Sequence, residues 1–129
     1  KAARAKLDKA IEQPTGENFH AMRSHSKYHL FHTSLLVCLA PGQMRRRSRK
    51  LDRLCELLGD DHDLSMLNHA LHSTRLEQAD QRLAEVLLTL IRRQQAVLQP
   101  QAIHLAKGHF AESPRELVQH WGKRWEQWA

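Results

Sequence analysis

The chain has little of what makes turns: its 129 residues include five glycines and four prolines, which leaves few breaks and favours helix. Aromatic residues are also scarce, at 5%. The two cysteines, Cys38 and Cys55, fall in apolar helical stretches without the spacing of a zinc clip or a disulfide framework, which fits a reducing cytoplasm. No apolar run approaches the roughly 20 residues that cross a bilayer, so no membrane partner is expected. The opening "KAARAKLDKAIEQP" has no signal-peptide core, and the missing initial Met reads as a piece cut from a longer chain. The length suits one domain with a real core. The expected class is all-α, an antiparallel helical bundle of about six helices.

What the chain does have is positive charge. Lys and Arg outnumber Asp and Glu by 20 to 14, a formal +6, and ten histidines add a reserve that grows as pH falls. Polyanions are the first partners to consider. Between His20 and Arg53 stand eight Lys or Arg, four His and one acid, Asp52. His20, Arg23 and Lys27 recur at i, i+3 and i+7 along one helical edge, and Arg46, Arg49 and Arg53 repeat that spacing, flanked by Lys50. If these helices are antiparallel neighbours, their basic edges can face a common groove. His25, His29 and His32 form a second series, but no carboxylate or thiolate nearby in sequence makes it a metal site.

The elements follow from periodicity and punctuation. Residues 1–16 read as the end of a preceding helix and a linker, with Pro14 and Gly16 marking the turn. A helix is expected over Glu17–Ala40, stopped by Pro41 and Gly42; a basic one follows to Gly59, which suits a left-handed position just past a helix end. A shorter helix runs to about His72, and a long one from Leu76 to Gln99, with Leu83, Leu87, Leu90 and Val97 toward the core. Pro100 ends or kinks it before a short helix over 101–110. "SPRE" then supplies Ser113 as an N-cap, Pro114 at the first position and Glu116 as its capping-box partner. Val118, Trp121, Trp125 and Trp128 form a stripe that reads as core-facing.

One stretch, "LLGDDHDLSML" (57–67), packs three aspartates around a histidine. With Gly59 ending a helix, Asp60 would be the next N-cap, Asp63 its capping-box equivalent and Asp61 a first-turn acid favoured by the helix dipole. Neighbours in a tight turn diverge too much to form a metal site by themselves. His62 has no role in this reading.

Two stretches together resemble a known family. "FHAMRSHSKYHLFHTSLL" resembles the H-x-x-R-x-x-x-K signature of the CHAD domain, the conserved-histidine α-helical domain, and "LLGDDHDLSML" resembles its second signature. The order, the intervening basic helix and the late tryptophan-bearing helix agree from residue 17 onward. The resemblance implies two helical bundles about a pseudo-twofold axis with a basic central channel for inorganic polyphosphate. Residues 17–129 would be the C-terminal half. Its carry-over puts His20, Arg23 and Lys27 at the family's histidine and basic positions, while Tyr28, His29 and His32 match a "KYH…H" variant. Ser24, Leu30 and Ser34 depart from the pattern and thin the positive edge. Asp60, Asp61 and Asp63 are then structural.

The expected function is a non-enzymatic polyphosphate-binding module using His20, Arg23, Lys27, His32, Arg46, Arg49, Lys50 and Arg53, with no metal or cofactor. Its partner is the N-terminal half of the domain or a second copy, and its location the cytoplasm and the polyphosphate granules there. The first rival is RNA or DNA binding, which the basic helices permit although few exposed aromatics are expected for stacking. The other is a histidine phosphotransfer protein or metal-dependent phosphohydrolase built on His20 or His62, for which the sequence shows no nucleophile and base pairing.

Overall fold

The computed structural model describes residues 2–75 and 77–128, all but residues 78, 79, 114 and 128 at side-chain level. Among them run five helices and no strand: α1 (Ala2–Glu12), α2 (Gly16–Leu35), α3 (Pro41–Ser73), α4 (Gln78–His109) and α5 (Pro114–Trp128). The class is all-α. None of these helices is long and apolar enough to cross a membrane.

The segment set apart as 1–16 is part of the bundle. Ala3, Leu7 and Ala10 of α1 share one core with Phe19 and Met22 of α2, Leu51, Leu54, Leu57 and Leu58 of α3, and Leu98, Ala102 and Ala106 of α4. The alanines let the helix axes approach closely, while leucine and phenylalanine fill the spaces between them. Thr15 caps α2, its hydroxyl accepting from Asn18 N at 3.3 Å. The helix ends at Leu35, short of Ala40. Thr33 and Ser34 hydroxyls bond back to the His29 and Phe31 carbonyls, both at 2.7 Å, competing for the acceptors of the last turns. Pro41 also excludes helical backbone at the residue before it, and Ala40 is extended in φ at −153°.

Two expected breaks are absent, which is why the helices number five. Helix α3 continues through Gly59, whose φ is not positive. Leu54, Leu57 and Leu58 before the glycine and Asp61 after it are all buried, so packing carries the helix across a residue whose intrinsic cost is only about 1 kcal/mol. The capping roles of Asp60, Asp61 and Asp63 are therefore corrected: all three lie in mid-helix, and the N-cap of α3 is Ala40, without a side-chain cap. Pro100 likewise sits inside α4. It is exposed, while Leu98 and Ala102 on either side are buried, so the lost backbone bond opens toward water as the core face stays continuous.

The core face of α4 is also one residue away from the expected one. Two heptad-spaced apolar stripes lie side by side, Leu83/Leu90/Val97 and Ala84/Ile91/Leu98. The second is buried, while Leu83, Leu90 and Val97 are more than half exposed and Leu87 is half-buried. The expected start at Leu76 lies outside the described residues. In α5 the capping box forms as expected: Ser113 N donates to Glu116 Oε2 at 2.7 Å and Glu116 N to Ser113 Oγ at 3.3 Å. The tryptophan stripe is not core. Val118 is 71% and Trp125 53% exposed, and Trp121 is half-buried; the side chain of Trp128 lies outside the described residues.

Helices α3 and α4 are stapled by a buried polar group. Asp61, 2% exposed, accepts at Oδ1 from Gln95 Nε2 at 3.1 Å and Gln99 Nε2 at 2.9 Å, and Gln95 also donates to Ser65 Oγ at 2.9 Å. Burial pushes the Asp61 carboxyl up, against the pull of the two amides. A raised carboxyl favours the folded state most when protonated, so its ionisation at neutral pH works against stability. Asp61→Asn keeps the shared acceptor and removes the charge, and is expected to unfold in urea at or above the wild-type midpoint at pH 7. Asp61→Ala strands the amides and should cost about 1–3 kcal/mol; an Ala variant as stable as wild type would contradict the staple.

Candidate functional site

The antiparallel register of α2 on α3 can be read from facing pairs. A Cβ on Gly16 would stand 3.5 Å from Ser65 Oγ, and one on Gly59 would stand 3.8 Å from Arg23 Nε. Between them the His20 and His62 rings meet with centroids 4.9 Å apart. This is the role the sequence reading lacked for His62: it is the α3 counterpart of His20. Lys27 continues the edge toward Cys55; burial pushes that thiol up, and the Lys27 charge draws it back. Both cysteines are free.

His20, Arg23 and Lys27 thus line one flank of α3, opposite Cys55, Gly59 and His62. Arg46 and Lys50 do not join them. They border a recess with His109 of α4 and Trp121 of α5, so the single groove expected between two basic edges is corrected: α3 itself stands between the two groups. At 100° per residue, Lys50 and Cys55 lie about 140° apart around α3. Arg49 and Arg53 are exposed, Arg53 beside an apolar groove with Leu57, Pro100 and His104. His32 is exposed next to Phe31. Five residues past Lys27, it is likewise turned about 140° from that edge.

The charge balance is uneven. Among the described residues, Arg53 is the one member of these eight with a carboxylate partner, Glu56 at 3.0 Å. The half-buried Arg23 carries an Nε with no acceptor. The exposed side of α3 is graded: Arg45, Arg46, Arg49 and Lys50 crowd its start, Asp52 and Glu56 flank Arg53 near its middle, and Asp60 and Asp63 follow. Cations at a helix N-terminus oppose the dipole, and the first turn has no acid to offset them.

Sequence reasoning missed a second histidine pair. His29 and His109 meet with centroids 5.8 Å apart, and Phe110 packs against both rings. His29 Nδ1 and His109 Nε2 are buried without a hydrogen-bond partner. Burial first, then Arg47, holds both imidazoles below their ordinary range, His109 down to about 3. The signal was available: His109 and Phe110 continue the Ala102/Ala106 core face of α4. Among the described residues, no three His, Cys, Asp or Glu gather closely enough to share a metal ion.

Compared with known proteins, the chain matches the family model of the CHAD domain over residues 1–72, which spans α1, α2 and nearly all of α3. No curated protein and no solved structure matches it.

The buried histidines give an acid sensitivity of definite sign. Their lowered values mean the folded state holds them neutral, a stabilising contribution present above the ordinary value of 6.5 and lost as pH falls toward about 3. Asp61, pushed up by burial, acts oppositely as it protonates. Urea midpoints measured from pH 7 to 4 should therefore drop less in His109→Leu than in wild type. Parallel pH profiles would show that His109 is not held neutral.

Proposed function

We propose, for a chain that belongs to the CHAD domain family, that it binds inorganic polyphosphate without transforming it. The observation that supports this reading is a set of cations without a carboxylate partner among the described residues, His20, Arg23 and Lys27 on α2 with Arg46, Arg49 and Lys50 on α3. Unpaired cations in register along helices repel one another, by tenths of a kcal/mol per pair. A chain carrying one negative charge per phosphate relieves that repulsion and releases its condensed counterions. Arg23 and Lys27 hold phosphate oxygens as charge-assisted donors. His20 adds an imidazole N–H donor, and His62 stacks behind it. Arg49 and Arg53 carry the polyanion over the exposed side of α3 toward Lys50 and Arg46, and His32 extends the α2 end.

The remainder of the polyanion path belongs to a second helical half, in the same chain or in a second copy, and the cytoplasm with its polyphosphate granules is the corresponding location. Neither a metal nor a cofactor enters this reading. One observation favours a second reading: Tyr28, Phe31 and Trp125 are exposed, where few exposed aromatics were expected. Tyr28 follows Lys27 directly, a pairing that also suits a single-stranded nucleic acid.

Long-chain polyphosphate is expected to bind at low salt, with the Arg23→Ala/Lys27→Ala double variant weaker by on the order of tenfold. Unchanged binding in the variant, or none in wild type, would overturn the proposal. Single-stranded RNA that displaces polyphosphate at equal phosphate concentration would move the assignment to nucleic acid.

A further inference from the structure

Helices α4 and α5 lie outside the residues matched to the family. Between them and the start of α3 the surface folds into a cleft of about 980 Å³, which shares Arg47, His109, Glu112 and His120 with a smaller recess of about 260 Å³. The larger volume is at the upper end of the range that small-molecule sites occupy.

The two adjoining spaces are both bordered by basic side chains. Helix α3 supplies Arg46, Arg47 and Lys50, and α5 supplies His120, Lys123 and Arg124. The two carboxylates present are already engaged: Glu112 pairs with Arg47 at 3.2 Å, and Glu116 accepts from Ser113 N at 2.7 Å. Bordering both spaces is His109, 6% exposed, whose Nε2 finds no partner in the chain. Trp121 lines the smaller recess and lies beneath Arg124, whose guanidinium carbon is 6.0 Å from the ring centroid. Five permanent cations from two elements border these adjoining spaces, Arg46 and Lys50 the recess, Lys123 and Arg124 the larger cleft and Arg47 both, and with the nearby acids occupied this is an arrangement that an anion stabilises.

We propose that this cleft is a second phosphate site, which takes a short chain of phosphate groups between α3 and α5, as found in free tripolyphosphate or in a nucleoside triphosphate. It shares Arg46 and Lys50 with the surface assigned above and otherwise stands apart from it. Tripolyphosphate bridges the two sides, Lys50 and Arg46 holding one end and Lys123 and Arg124 the other. In the nucleotide case the base rests on Trp121 in the recess.

All three tryptophans lie on α5, so intrinsic fluorescence of the full chain reports on the cleft. Titration with tripolyphosphate at low salt is expected to give a saturable change. The midpoint should rise tenfold or more in Lys123→Ala/Arg124→Ala and in Arg46→Ala/Lys50→Ala, and stay within twofold of wild type in a remote charge control, Arg82→Ala/Arg93→Ala. Circular dichroism checks that α5 is retained, and the α3 variant tests the site should the α5 variant lose helix. No saturable response by fluorescence or calorimetry in wild type would overturn the proposal, as would wild-type affinity in either cleft variant. ATP binding more tightly than tripolyphosphate, with the advantage lost in Trp121→Leu, identifies the nucleotide as the source; equal affinity identifies the inorganic chain. Long-chain polyphosphate binding that responds to Arg23→Ala/Lys27→Ala alone bears on the first surface and leaves this test separate.

Discussion

Helix α3 runs unbroken for 33 residues, and its register against α2 on one flank and α4 on the other positions the rest of the molecule. On the first flank, Gly59 lies under Arg23 and His62 meets His20. On the second, Asp61 accepts from Gln95 and Gln99. These contacts fall within four consecutive residues, so a slip of one residue along α3 would turn each by 100° and misplace them together. The Arg23 guanidinium lies over Gly59, where an added Cβ would meet it at van der Waals distance, and the buried carboxylate of Asp61 fixes the opposite neighbour. The acidic stretch is therefore a registration point inside a helix.

Basic residues on this frame are arranged against their own electrostatic preference. Arginines crowd the uncapped N-terminal end of α3, where the dipole disfavours them, and its first acid is Asp52, beyond them. The buried polar atoms without partners, Arg23 Nε, His29 Nδ1 and His109 Nε2, all lie near cations. Local rules are thus broken on both flanks of α3, which is where the proposed ligand would supply charges and acceptors. The hydrophobic core, drawn from α1 to α4, holds these residues in place.

Much of this was legible in the sequence. The all-α class followed from few glycines and prolines, the α5 capping box from "SPRE", and the family from two motifs in order. What misled was punctuation. Gly59 and Pro100 have the composition of helix ends, yet each costs a few kcal/mol at most, which burial of Leu57, Leu58 and Asp61, or of Leu98 and Ala102, can exceed. The stripes of α4 were ambiguous because two heptad series lie one residue apart, and only the neighbour decides which is covered. The tryptophans of α5 have a core pattern without a described element over them. Within the site, the edge of His20, Arg23 and Lys27 follows from spacing alone. Its separation from Arg46 and Lys50, and the pairing of His62, depend on how the helices pack.

The central claim is that six cations of α2 and α3, His20, Arg23, Lys27, Arg46, Arg49 and Lys50, without a carboxylate partner among the described residues, meet successive phosphates. The most direct measurement is the association constant for long-chain polyphosphate as a function of salt concentration. Six phosphate contacts predict a log–log slope of about −4, at roughly 0.7 per contact for a single-stranded polyanion. Binding that persists with a slope near zero would contradict the account, because counterion release would then contribute nothing.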